Sequence, residues 1–258
     1  METTVRVENL KKIYFEEGRG EVRAVDGISF SCQPGEIFGL LGANGAGKTT
    51  TLRVLATILQ PTSGTAALMG HDTVREPEWV RRSLGFYSAS TALYPRLTAR
   101  ETLEFFARIN GYPTQRVKAR VDHLIARFGI SEYADARVDR LSQGMKQKVS
   151  IARTVVHDPP VVIFDEPTVG LDVLNAIEMQ KVIAEFRTEG KTILFSTHIM
   201  SEAERLCDRI AIVHRGKIHA SDTLPALRSA SGKHYLEDIF VHFVERANAG
   251  SLPLLEVP

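Results

Sequence analysis

The spacing of apolar and polar residues changes several times along the chain. Residues 3–8, TTVRVE, alternate as a half-exposed strand does. Residues 24–45, AVDGISFSCQPGEIFGLLGANG, hold two strand-like runs parted by the turn QPGE. The second run, EIFGLLG, is apolar on both faces, as in a strand buried inside a parallel sheet. KTTTLRVLATIL then has helical period and length, and QPTSGTA breaks it. From about Pro77 to Val149 the character changes. RETLEFFARING and QRVKARVDHLIARFG are amphipathic helices closed by glycines, so this stretch is expected to be a helical insertion. PPVVIFDEPT is a strand that stays apolar until it meets two acids. A helix (NAIEMQKVIAEFRTEG), a strand (KTILFSTH), a helix (MSEAERLC) and a hairpin (RIAIVHRGKIHA) follow. Alternating β and α elements predict an α/β fold, a mostly parallel sheet with helices on both faces. Residues 1–220 are expected to form the main domain, and 221–258 a short C-terminal extension.

Composition narrows the function classes. Lys and Arg number 32 against 31 Asp and Glu, a balance that argues against a broad nucleic-acid surface. Cys32 and Cys207 lie far apart, without metal-ligand spacing, and fit a reducing compartment. METTVRVENL lacks the basic start and apolar core of a signal peptide. No apolar run approaches the ~20 residues that span a bilayer. The expectation is a cytoplasmic protein that reaches a membrane only through a partner.

The candidate chemistry begins at Gly42–Thr49, GANGAGKT, which matches G-x-x-x-x-G-K-[ST] between a predicted strand and a predicted helix. Glycines there let backbone N–H groups turn inward around a phosphate chain. The helix start adds its positive dipole end. Lys48 is placed to reach the β- and γ-phosphates, and the Thr49 hydroxyl to ligate Mg²⁺. Asp165 ends an apolar strand, where open α/β sheets hold ligands, and a carboxylate there can hold Mg²⁺ through its water shell. Glu166 beside it suits orienting or deprotonating an attacking water. His198 ends another strand. It is either a hydrogen-bonded structural residue or, on the same sheet edge as Asp165, a donor to the γ-phosphate.

A second anion-holding helix start, LSQGM at Leu141–Met145, stands about a hundred residues downstream of the first. The order is phosphate loop, helical insertion, LSQGM, VVIFDEP, VGLD, then STH. In this order the motifs resemble the ATP-binding subunits of ABC transporters over about residues 3–220. The resemblance implies a RecA-like phosphate-loop NTPase core with an antiparallel β subdomain and an inserted helical subdomain at about 77–149. It implies ATP and Mg²⁺ as cofactors and Lys48, Glu166 and His198 as catalytic residues. Nucleotide contacts fall on Gly42, Asn44, Gly45, Ala46, Gly47, Lys48, Thr49 and Thr50, and metal contacts on Thr49 and Asp165. It also implies that two subunits pack head to tail, so that Ser142 and Gly144 grip the partner's ATP. Tyr14 lies where the family stacks an aromatic on adenine, with Phe15 as its neighbouring rival. Asp172 in VGLD is the candidate for a structural or communicating contact near the dimer interface.

Two departures stand out. Gln143 and Met145 replace a glycine and a glutamine of the family's usual signature, while Ser142 and Gly144 are kept. The glutamine that usually ligates Mg²⁺ at the join with the helical insertion falls at Ala89, leaving Ser88, Ser90 or a water to substitute. SASTALYPRLTARE, GMKQKVSIAR and FSTHIMSEAERLCDRIAIVHRGKI look most like the sodium-exporter-like and drug-exporter branches, as does LEDIFVHFVER. That likeness implies an integral-membrane ABC-2-type permease as partner, beside a second copy of the chain or a similar ATP-binding subunit. It places the chain on the cytoplasmic face of the cell membrane. The apolar and aromatic residues of STALYPRLTARETLEFF are open to two readings, a permease-docking stripe or plain helix packing. The competing functions are a soluble ABC ATPase of translation or DNA repair, and a small-molecule kinase. LSQGM directly before the acidic strand argues against the kinase.

Overall fold

The computed structural model describes residues 3–18, 20–88 and 91–249. Two sheets share one interior. In the smaller, β1 (Val5–Glu16) and β2 (Gly20–Cys32) form a long antiparallel ribbon running from Val5 opposite Cys32 to Glu16 opposite Gly20. β4 (Ser63–Leu68) pairs with the other edge of β1, and β5 (His71–Asp72) with β4. Among the described residues this sheet has the order β2-β1-β4-β5. It is the antiparallel part of the expected fold. Periodicity did not show β4 and β5, because SGTAAL is too rich in small residues to alternate.

The larger sheet has the order β10-β9-β3-β8-β7-β6. Its strands are β3 (Ile37–Leu41), β6 (Leu84–Ser88), β7 (Val161–Asp165), β8 (Thr192–Thr197), β9 (Arg209–His214) and β10 (Lys217–Asp222). All pair in parallel except β10, which returns antiparallel along β9. Every residue of β3, β7 and β8 is buried, which requires cover on both faces. The side chains divide with the period of two that a strand imposes. Phe38, Leu40, Val161, Ile163 and Leu194 point into the core shared with the smaller sheet and with α1 (Lys48–Leu55). Val162, Phe164, Ile193 and Phe195 point to the opposite core. That core holds α3 (Ala99–Ile109), α4 (Thr114–Arg127), α5 (Gln143–Val155) and α6 (Val173–Thr188). Phe164, wholly buried there, stacks on Phe186 of α6, and truncating such a ring to alanine costs about 3–5 kcal/mol.

The stretch 77–149, expected to be helical, contains a strand. Only α2 (Pro77–Ser83) precedes β6, and β6 joins the edge of the larger sheet, so the helices proper begin after Ser88. Five residues interrupted by a glycine give too short a period to announce a strand. Gly85 is nevertheless required, because a Cβ there would lie 2.5 Å from the Thr154 carbonyl oxygen of α5. Residues beyond 220 also join the fold. α7 (Met200–Leu206), α8 (Leu224–Ser231) and α9 (Leu236–Ala249) enclose a third cluster in which Leu227, Leu236 and Ile239 meet Leu41, Ile210 and Ile212.

Most long helices start with a cap. Thr98 and Glu101 form a reciprocal capping box on α3. Ser142 caps α5 by accepting from the Met145 N–H at 3.3 Å, and Asp172 caps α6 by accepting from the Asn175 N–H at 3.0 Å. α1 has neither a side-chain cap nor an acid in its first turn.

His157, just past α5, ties the helices to the sheet: its Nε2 lies 3.1 Å from the Leu84 carbonyl oxygen and must donate to it. Burial lowers its pKa to about 4, against a smaller upward pull from the Leu84 carbonyl. An unfolded histidine therefore takes up its proton near pH 6.5 while the folded one stays neutral. The neutral state supports the fold above that value, and the support is lost as pH falls toward 4. Between about pH 7 and pH 5 the group should cost the fold about 2 kcal/mol. Urea unfolding at the two pH values should show a smaller loss in His157→Gln by that amount; an equal loss refutes the assignment.

Candidate active site

β3 delivers the chain to Gly42, whose N–H donates to the Thr197 carbonyl at 3.3 Å. A Cβ on Gly42 would stand 2.3 Å from the Val213 carbonyl oxygen, so only glycine fits between β3 and β9 there. The loop passes through the exposed residues Ala43, Asn44 and Gly45, then turns inward at buried Ala46 and Gly47. Gly47 sits at φ 105°, and its Cβ would meet the Ala24 carbonyl oxygen at 2.4 Å. α1 starts at once, with its first N–H groups free of any side-chain cap. The Lys48 side chain folds back over the loop, donating to the Gly42 oxygen at 2.7 Å and the Ala43 oxygen at 3.2 Å. Its ammonium is 3.1 Å from Glu166 Oε1, and its side chain is 3% exposed. Thr49 and Thr50 are half-buried on the first turn.

Register brings the acids to this loop. Ser88, Asp165 and Ser196 stand in one row across β6, β7 and β8. Asp165 Oδ1 accepts from the Ser196 hydroxyl at 2.7 Å and from the Thr49 hydroxyl at 3.0 Å. Glu166 then takes φ 48°, a left-handed conformation that costs a non-glycine residue about 1–3 kcal/mol. Its N–H points at both the hydroxyl and the carbonyl of Ser196, at 3.1 and 3.2 Å. The turn brings the Glu166 carboxylate back over the sheet edge, between Lys48 and His198, whose Nδ1 lies 3.5 Å from Oε2. The strand end carrying His198 is anchored from below. Thr197 donates to the buried carboxylate of Glu202 at 2.7 Å and accepts from the Ile199 N–H at 2.9 Å. Sequence reasoning missed Ser196 and Glu202. The hydroxyl pair of FSTH was the available signal for the first, while an acid inside MSEAERLC reads as an ordinary exposed helix residue.

Four of the remaining expected residues, Ser142, Gly144, Asp172 and Tyr14, share no hydrogen bond or ion pair with this cluster among the described residues. Among the described residues, neither Ser142 nor Gly144 shares a hydrogen bond or ion pair with the phosphate loop, Asp165, Glu166 or His198. The Ser142 hydroxyl caps its own helix, and a Cβ on Gly144 would meet nothing nearer than the Asn175 side chain at 3.7 Å. Asp172 is the α6 cap, and the Asn175 N–H holds its carboxyl below the usual range. Tyr14 is half-buried on β1 with Lys12 Nζ 5.2 Å from its ring centre, whereas Phe15 is 83% exposed. Ala89 and Ser90 lie outside the described residues; Ser88, beside Asp165, is buried.

An uncapped helix start, glycine-shaped backbone and a buried ammonium together suit a polyphosphate. Oxygen donors on Thr49 and Asp165 suit a hard divalent cation, and the carboxylate of Glu166 at the same edge suits activation of a water. Fold and site define a phosphate-loop nucleoside triphosphatase. Comparison with known proteins is more specific. The profile of the family described as "ABC transporter" matches residues 25–169. The ABC transporter ATP-binding protein NatA of Bacillus subtilis (strain 168) is 41% identical over 228 residues, covering 88% of this chain and 93% of that protein. The daunorubicin/doxorubicin resistance ATP-binding protein DrrA of Streptomyces peucetius is 35% identical over 232 residues, covering 90% and 69%. A solved structure of an ATP-binding subunit of an ABC transporter superposes with a TM-score of 0.84 at 31% identity, over 94% of this chain and all of that one. A dimeric ATP-binding cassette in a post-hydrolysis state, bound to ADP and Pi, superposes with a TM-score of 0.77 at 25% identity, over 85% and 98%. The chain belongs to the ATP-binding subunits of the ABC transporter family and is an ATPase.

Ser196 orients both acids, so Ser196→Ala should lower the hydrolysis rate at saturating ATP by about tenfold, with ATP affinity nearly unchanged. Steady-state kinetics beside an equilibrium ATP titration measure the two quantities; a wild-type rate refutes the role.

Proposed function

We propose that this chain is the ATP-driven motor of an exporter. Two such subunits close head to tail over two ATP molecules and drive a separate ABC-2-type permease. The observation that carries this reading is the separation of two grips on one chain. The uncapped α1 gathers Lys48, Asp165, Glu166 and His198, while the start of α5, with Ser142 and Gly144, shares no hydrogen bond or ion pair with them among the described residues.

In this reading the phosphate loop from Gly42 through Asn44, Gly45, Ala46 and Gly47, with Lys48, Thr49 and Thr50, wraps the triphosphate. Lys48 offsets charge on the β- and γ-phosphates. Thr49 and Asp165 hold Mg²⁺, which neutralises phosphate charge when bound; Ser88 is the described hydroxyl beside them. Glu166 takes the proton of the attacking water, and His198 faces the γ-phosphate. Tyr14 stacks on the adenine. Ser142 and Gly144 complete the partner's site, so that ATP joins the two subunits and hydrolysis releases them.

The permease docks where the helices meet the sheet. A cavity of about 320 Å³ there is lined by Ile58, Phe86, Tyr94 and Phe106 among others. Tyr94 and Phe106 of its lining form a ring cluster with Phe105, with Tyr94 53% and Phe105 42% exposed. No described helix is long and apolar enough to cross a membrane, in keeping with a motor that reaches one through its partner. The Nod factor export ATP-binding protein I of Paraburkholderia xenovorans (strain LB400), which is 42% identical over 226 residues, 88% of this chain and 73% of that protein, is named for export, and DrrA for resistance to daunorubicin and doxorubicin; both names support an exporter of an organic compound. They give no support to a role in translation or DNA repair.

Glu166→Gln should bind ATP, lose about a hundredfold or more of hydrolysis, and accumulate as a dimer in light scattering. A variant that stays monomeric at saturating Mg-ATP refutes the shared site. Ser142→Ala should hydrolyse slowly while its monomer keeps wild-type affinity for ATP in an equilibrium titration. Loss of affinity in the monomer contradicts a role toward the partner's nucleotide.

A further inference from the structure

The β9–β10 turn has no part in the chemistry above, yet it touches the phosphate loop. Arg215 and Gly216 both take positive φ, 49° and 74°, as the central residues of a tight hairpin do. The Gly216 N–H donates to the Ala46 carbonyl at 2.9 Å, and the Gly216 carbonyl accepts from the Asp26 N–H at 2.8 Å. One residue is thus bonded to the phosphate loop on one side and to β2 on the other. The three backbones also pack without side chains between them. A Cβ on Gly216 would lie 3.0 Å from the Ala24 oxygen and 3.2 Å from the Asp26 nitrogen, and one on Gly47 would lie 3.3 Å from Gly216 Cα. Lys217 adds an ion pair to Asp26 at 3.2 Å.

The Ala46 carbonyl and the Gly47 N–H belong to one planar trans peptide, so they point in opposite directions. Holding the carbonyl against the Gly216 turn aims the Gly47 N–H the other way, into the loop. Without that tether the unit is free to rotate, because Gly47 tolerates either sign of φ. A rotated unit would present a carbonyl oxygen where an anion needs a donor. We propose that Gly216 is a positioning residue for nucleotide binding: its turn fixes the Ala46–Gly47 peptide so that the phosphate loop is shaped before ATP arrives. The inference rests on the reading of Gly42–Thr49 as the phosphate-binding loop.

The test compares Gly216→Ala and Gly216→Asn with Gly190→Ala. Gly190 has φ 84°, and a Cβ added to it would meet no atom within 4 Å, so it carries similar backbone strain away from the loop. ATP dissociation constants, KM, kcat and circular dichroism are measured for each. Gly216→Ala should raise both Kd and KM for ATP by about tenfold and leave kcat within about twofold. Gly216→Asn, whose side chain tolerates positive φ, should fold more readily and still weaken binding. Gly190→Ala should bind as wild type. Folded Gly216 variants with wild-type Kd overturn the proposal, as does a fall in kcat at unchanged KM. Loss of fold in both, with Gly190→Ala intact, overturns it too by making Gly216 a purely structural residue. A wild-type protein that does not bind ATP refutes the reading of the loop itself.

Discussion

A lysine ammonium almost wholly withdrawn from water is the constraint around which the site is built. Burial of Lys48 is tolerable only with acceptors on several sides, and the chain supplies two loop carbonyls and the Glu166 carboxylate. Placing that carboxylate forces Glu166 into a left-handed turn. The turn is stabilised by Ser196, and Ser196 also aims Asp165. The basic and acidic halves therefore hold each other in place. Under the proposed function, a triphosphate entering the loop would compete with Glu166 for the ammonium and free the carboxylate beside the reacting end.

The parts legible in the sequence were those where chemistry leaves no substitute. A glycine-lysine-threonine turn before a helix, two acids closing an apolar strand, and a histidine closing the next one pointed to residues that the structure brings together. Less legible were residues whose role depends on register. Ser196 reads as one more strand residue until β7 and β8 align it with Asp165. Glu202 reads as solvent-facing until α7 turns it onto Thr197. β6 was hidden because LGFYS is short, and Gly85 interrupts it for a contact with α5 that only the folded chain contains. Ala89 and Ser90, on which the departure at the usual glutamine position turns, are not among the described residues.

Ser142 satisfies its own helix with a hydrogen bond of 3.3 Å, and Gly144 keeps the surface beside it free of a Cβ. A helix start closed by so light a cap presents little that adheres to other proteins, yet an anion can readily replace that cap. Under the proposed function, association then depends on nucleotide rather than on a permanently sticky face.

The order in which the chain is made bears on the loop's shape. Gly42–Thr49 is made first, while the carbonyl that Gly42 packs against belongs to Val213 and the tether on Ala46 to Gly216, both far downstream. β3 itself is flanked by strands that begin at Thr192 and Arg209. Contacts so distant in sequence form late. A polypeptide emerging from the ribosome thus carries the phosphate-loop residues without the walls that shape them until Val213 and Gly216 have followed. The loop gains its shape only once the β9–β10 hairpin has been added.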